Sequence, residues 1–379
     1  MAKYLIVLSG VCMSMLLSGC DITLFQGATG NDSEEPEELS LLWFRSFDTP
    51  ENPGYFSMTR ALPLDEDRVA VALNDFVAVL DSESGDVIWS QNHGRGIPLQ
   101  NRGFGFEKGL LVGNTYNAIM AWDSDTGELQ WEILLDDSEE LFGYSDVTFD
   151  GENFLFAGKG GDGILHRIRE DGVKINSLDL EFGIYQKVYQ DGVLYVTHAA
   201  EIDGEPAANI TAYDLQAESV RWRFQEPGYG RFVRMLPHIE NGVIYTGTMQ
   251  GNRPQGFFAF HQETGEEIWR SEQLTTYGGV VGQDRIYGTD AMSVWAIDKK
   301  SGDLVWRTNN PITRSEQGMD LHNGKLYWAN TYGLVVFDAE TGEVLQIADP
   351  PGSYIRNVVI EHGYIFVTTV QSIAVYRVP

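Results

Sequence analysis

The chain has 379 residues, of which 55 are Asp or Glu and 26 are Lys or Arg, giving a formal net charge of −29. Such a surface excludes general binding to nucleic acid, which needs cationic groups to displace condensed counterions, and it disfavours lying flat on anionic lipid. A hydrophobic content of 43% over this length supplies a sizeable core, and Cys12 and Cys20 are the only two cysteines.

The first element is a leader. Met1-Ala2-Lys3 precedes an apolar run from Tyr4 to Leu17, and Leu17-Ser18-Gly19-Cys20 follows at once. A positive start, an apolar stretch too short to span a bilayer and small residues before a cysteine predict a bacterial lipoprotein signal over residues 1–19. Cys20 is then the lipidated N-terminus and Cys12 is lost with the signal, so no disulfide remains. Contact with the membrane is expected through this anchor only. Residues 20–38 carry the lipidated Cys and an acidic tether, whose tail Asn31–Glu38 (NDSEEPEE) lacks apolar periodicity and is expected to be disordered. In enterobacterial lipoproteins the position of Asp21 resembles an inner-membrane retention signal, which leaves outer versus inner membrane open.

Residues 39–379 repeat one frame of strand end, tight turn and strand start. It stands as Val79–Trp89 (VLDSESGDVIW), Ala121–Trp131 (AWDSDTGELQW), Ala212–Trp222 (AYDLQAESVRW), Ala259–Trp269 (AFHQETGEEIW), Ala296–Trp306 (AIDKKSGDLVW) and Val336–Gln346 (VFDAETGEVLQ). A recurrence at roughly 37–47 residues means a repeat architecture, one supersecondary unit per copy. The gap between Asp123 and Asp214 is about twice the usual step, and Ile164–Asn176, with Asp171-Gly172 as its turn, fills it as a degenerate copy. Turns such as Asp191-Gly192, Asn241-Gly242, Asn323-Gly324 and His362-Gly363 announce further strands at Val193–Thr197, Val243–Thr246, Lys325–Trp328 and Tyr364–Val367. The last copy ends with Ser372–Tyr376 and lacks a final strand, whereas Leu41-Leu42-Trp43 matches Val87-Ile88-Trp89 and has no strand before it. The pattern therefore predicts an all-β, eight-bladed β-propeller of four-stranded antiparallel blades. Its N-terminal strand completes the C-terminal blade and leaves no free edge between the chain ends.

The frame A-x-D-x-x-T-G-x-x-x-W resembles the quinoprotein-type propeller repeat. In that family the tryptophans pack between neighbouring blades, which gives Trp43, Trp89, Trp131, Trp222, Trp269 and Trp306 a structural role. His261 replaces the turn Asp in one copy. Gln346 replaces the Trp of blade seven and predicts a weaker joint with blade eight. Pyrroloquinoline-quinone dehydrogenases share the repeat, but they are longer and carry an adjacent Cys-Cys pair, which this sequence lacks. The signal, acidic tether and eight compact blades together resemble the BamB-type lipoproteins. That resemblance implies a non-catalytic, lipid-anchored scaffold at the periplasmic face of the envelope, without a cofactor, whose partner is the β-barrel assembly subunit. The alternative is a periplasmic ligand-binding or quinone-type oxidoreductase propeller using its central funnel.

Linear motifs for chemistry are weak. Asp123–Glu128 has the alternating oxygens of a calcium loop but not the remaining ligands, and plain turn chemistry accounts for it. The seven histidines show no H-x-H or H-x-x-x-H spacing, so no metal is expected. One pattern is independent of the family. Seven positions before each blade's first turn, near the axis, stand Arg60, Arg102, Tyr144, Tyr185, Met235, Tyr277, Gln317 and Arg356, with Arg234 one residue off register. Arginines in adjacent blades facing tyrosines form a candidate mouth for an acidic loop or carboxylate of a partner. The competing reading pairs each arginine with an acidic neighbour of its own ring.

Overall fold

The computed structural model describes residues 38–47, 59–73, 76–93, 104–115, 117–135, 147–157, 163–180, 182–198, 200–229, 237–248, 256–272, 274, 278–290, 293–309, 318–330, 333–352 and 354–379. These residues form eight antiparallel sheets, seven of four strands and one of five, and no helix is found among them. Each sheet is one blade, numbered one to eight from Leu62. Alternation along the strands buries both faces of the middle strands, and each apolar cluster joins two successive blades. Val69, Val71 and Leu80 of blade one, for example, meet Phe366, Ile373 and Val375 of blade eight. The core is thus a set of sandwiched seams around an axial channel.

The ring closes as the sequence predicts. Ser40–Ser46 pairs antiparallel with Ser372–Arg377, with Trp43 opposite Val375, and completes blade eight. The two ends of the ring differ. At one end the first residue past the third strand donates its backbone N–H to the turn between strands one and two, as in Ser124 to Gly109 (2.9 Å) and Val378 to Gly363 (2.9 Å). Ser40, opposite Arg377, enters at this turn end. The interblade connections emerge at the other, loop end.

Blade four departs from the pattern. Its third strand runs ten residues, Glu205–Asp214, and its fourth nine, Ser219–Pro227. An added short strand, Ala200–Ile202, pairs with Glu205–Ala207 across Asp203-Gly204, whose positive φ values of 54° and 79° fit a tight hairpin turn.

The frame explains itself at atomic scale. Asp123 Oδ1 accepts the N–H groups of Asp125 (3.0 Å) and Thr126 (2.8 Å) and the hydroxyl of Thr126 (2.9 Å), so its oxygen is committed to its own turn. His261 cannot do this, yet its backbone keeps the turn through Gly265 N–H to His261 O at 2.8 Å. The frame glycines 85, 127, 172, 265, 302 and 342 have φ between 70° and 81°. A Cβ on any of them would stand 2.3–2.6 Å from the Trp ring of the preceding blade: Trp43, Trp89, Trp131, Trp222, Trp269 and Trp306 in turn. Five of these rings also donate their Nε1–H to a carbonyl in that next turn, from Trp43 to Ser82 (2.9 Å) and from Trp89 to Ser124 (2.8 Å), with Trp131, Trp222 and Trp306 alike. Each clasp therefore fastens one blade to the next.

Two seams lack the clasp. Between blades three and four, Asn176 stands opposite Arg167 where other blades place Trp, and Glu218 (φ 49°) stands at the glycine position. Between seven and eight, Gln346 takes the Trp place, opposite Val336, and blade eight has chain ends instead of the turn. This second seam is fastened near the axis. Asp320 of blade seven accepts the N–H of Ile360 at 2.7 Å, and Gly318 N–H donates to Arg356 O at 3.3 Å.

Candidate functional site

The axial channel encloses about 720 Å³, within the range of ligand and side-chain sites. Its wall is uneven. Blades six and seven contribute bare backbone at Gly278, Gly279 and Gly318, while polar side chains enter from Arg60, Gln190, His238, Asp320, Asn357 and Glu361 on blades one, four, five, seven and eight. Asp320 accepts both the N–H of Ile360 and that of Leu321 (2.9 Å). Burial pushes its carboxyl up from the ordinary value, against the two N–H donors and the charges of Arg60 and His322, which pull it down.

Two of the predicted arginines belong to the described residues and lie on neighbouring blades. Arg60 is exposed between buried Thr59 and Ala61, and Thr59 ties the segment to the second strand through Ala72 N–H to its Oγ1 at 2.9 Å. Arg356 is half-buried next to Ile355, which is 2% exposed, and its backbone N–H donates to Thr368 O at 2.7 Å. Its Nε is shielded from solvent and has no hydrogen-bond partner. Tyr185 opens blade four, across the ring, with its N–H on Thr197 O at 2.8 Å. Arg102, Arg234, Tyr144 and Tyr277 lie outside the described residues, as do Cys20 and the whole leader and tether up to residue 37.

One residue that the sequence reading passed over is Tyr354. It is 59% exposed with φ of 56°, two residues before Arg356. The signal was Pro350-Pro351-Gly352, a loop marker directly ahead of it. Gly352 (φ 110°) is obligatory there, since a Cβ would stand 2.5 Å from Ser372 Oγ.

Among the described residues no cysteine lines the channel, and no three His, Cys, Asp or Glu side chains converge as a metal site.

The family model of the outer membrane protein assembly factor BamB matches residues 73–308. Among solved structures, BamB from Moraxella catarrhalis is 14% identical, with TM-score 0.70, 90% of this chain and 100% of that chain covered. The computationally designed Ika8 protein is 11% identical at TM-score 0.66, covering 85% of this chain and 96% of that one. Quinohemoprotein alcohol dehydrogenase from Comamonas testosteroni is 11% identical at TM-score 0.65, covering 89% and 76% respectively. None of the curated proteins is a match for the chain in sequence. With 1340 solved chains sharing this likeness, the fold by itself selects no function.

Proposed function

We infer the function from one premise: the chain belongs to the family of the outer membrane protein assembly factor BamB. On that premise it is a non-catalytic scaffold of the cell envelope, anchored through lipid on Cys20 and facing the periplasm, that works in the assembly of outer-membrane β-barrel proteins. The family match over most of the blades is the observation that carries this reading. A closed ring held by tryptophan clasps suits it, because a rigid body presents loops to a partner without reorganising. The acidic charge of −29 suits a body held clear of anionic lipid. The membrane protein that forms the barrel-assembly pore is the expected partner.

The test is purification through a C-terminal tag from detergent-solubilised membranes. Co-elution of the barrel-assembly subunit in stoichiometric amount is expected. Its absence from an eluate that contains the lipidated protein overturns the reading.

A further inference from the structure

Blade eight is assembled from both ends of the propeller sequence. Asn357–Glu361, Tyr364–Thr368 and Ser372–Arg377 follow one another, while the fourth strand, Ser40–Ser46, arrives from the N-terminal side. It pairs along one edge, and its register shifts at Leu42, between Leu41 opposite Tyr376 and Trp43 opposite Val375. Trp43 clasps it to Gly85 and Ser82 of blade one, and Leu42 and Phe47 pack on the seam. An exposed pair between Arg45 and Asp86, at 4.0 Å, adds little. The other strands of blade eight reach blade one without it. Glu83 of blade one accepts the Tyr364 hydroxyl at 2.8 Å and a guanidinium N–H of Arg377, whose charge lies 5.4 Å from the Tyr364 ring centre. Beneath them Val69, Val71 and Leu80 meet Phe366, Ile373 and Val375. Two other seams close without any tryptophan clasp, so a clasp is not a condition of closure.

We propose that Ser40–Ser46 is an exchangeable strand: it leaves blade eight without opening the ring, and the vacated edge takes the same strand from a second copy. The occupant follows from the seat. The edge of Ser372–Arg377 and the place of the Trp43 ring over Gly85 fit this strand as observed, and every copy carries it. Reach allows the exchange, since eleven residues, 48–58, separate Phe47 from Thr59 and span up to about 35–40 Å when extended. The rim favours it too. Leu41 and Phe44 are exposed on the strand, and Val87 and Ile88 are exposed just past Asp86, the partner of Arg45. Reciprocal exchange sets two such rims against each other across a two-fold axis and covers these side chains. The exchanged contacts are the same within and between copies, so this added apolar contact decides the balance. The dimer therefore forms by mass action, and slowly, because each strand must first leave its own blade. The proposal stands apart from the scaffold reading and needs neither lipid nor another protein.

The test mixes two purified full-length variants, Phe44→Cys isotope-labelled and Ala374→Cys unlabelled, at several protein concentrations before oxidation. Phe44 stands opposite Ala374, and neither variant carries both substitutions, so a disulfide between these two positions joins two molecules. Mass spectrometry of the digest is expected to find it between labelled and unlabelled peptides, in a yield that rises with concentration. Val375→Cys in place of Ala374→Cys, one residue on and facing the other side of the sheet, should give at least about tenfold less. In the parent protein, deuterium exchange of the Trp43–Ser46 amides should run at least about tenfold faster than that of Tyr364–Thr368, since the strand opens ahead of the ring. This comparison uses no variant, so it stands whether or not Ala374→Cys folds. Absence of the disulfide, equal yield from Val375→Cys, or equal exchange of the two strands overturns the proposal. No assembly subunit is present in either measurement, so failure here leaves the membrane co-purification result standing, and the reverse holds too.

Discussion

Gly127 has two reasons to be glycine, and they can be separated. Its φ is 74°, and a Cβ would stand 2.6 Å from the ring of Trp89. Gly109 shares the first reason, with φ of 76°, but has nothing within 4 Å of a Cβ. Gly109→Ala is therefore expected to cost about 1 kcal/mol, the left-handed penalty alone. Gly127→Ala adds the displacement of a clasp ring and should cost about 2–4 kcal/mol. Urea midpoints of the two variants measure the difference, and equal costs would refute the stacking role. The turn glycine was legible in the sequence from its place after Asp-x-x-Thr, and so was the spacing of the tryptophans. Which glycine each tryptophan covers was not, because that pairing runs from one copy to the next and local periodicity carries no such information.

At the level of strands, the unclasped seams make the blades unequal. Lys174–Asp179 carries Asn176 and Val344–Ala348 carries Gln346, so neither outermost strand has a ring seated on the following blade. Their amides are expected to exchange with deuterium faster than those of Val87–Asn92 and Leu129–Leu134, which carry Trp89 and Trp131. Slower or equal exchange in Lys174–Asp179 would remove the clasp as the source of rim stability. The repeat located the missing outer clasp at Gln346. The compensation near the axis by Asp320 was invisible, because an Asp in a strand start reads as a turn residue until its neighbour across the seam is known. The long hairpin of blade four was missed although Asp203-Gly204 announces it, since the frame of Ala212–Trp222 alone accounted for a complete blade.

Over the whole molecule, acid should act through the repeated turns. Backbone N–H donors, chiefly those of Ser84, Thr126, Ala217 and Ser301, hold Asp81, Asp123, Asp214 and Asp298 below the ordinary carboxyl value of 3.8. The unfolded chain then binds more protons than the folded ring as pH falls through that value. The contribution is complete above about pH 4 and is lost below it, on the way down to the folded values. Thermal midpoints should fall steeply below about pH 4, and Asp123→Asn, which keeps an acceptor oxygen but does not titrate, should make that fall shallower. An unchanged acid limb in the variant would reject the turn carboxylate as a source. The blade number and ring closure were legible because eight copies of one frame leave few ways to arrange a sheet. The axial register picked out Arg60 and Arg356 on neighbouring blades, while the exposed Tyr354 sits in a loop that no period reaches.

The chain enters the propeller at Ser40 as the strand that shuts it, bound to Ser372–Arg377 through six residue pairs. Whatever hauls on the polypeptide ahead of Ser40 therefore pulls on the latch, not on an ornament. A leash tied there would transmit tension into the joint between first and last blade, and slackening that latch would expose the apolar seam beneath Trp43.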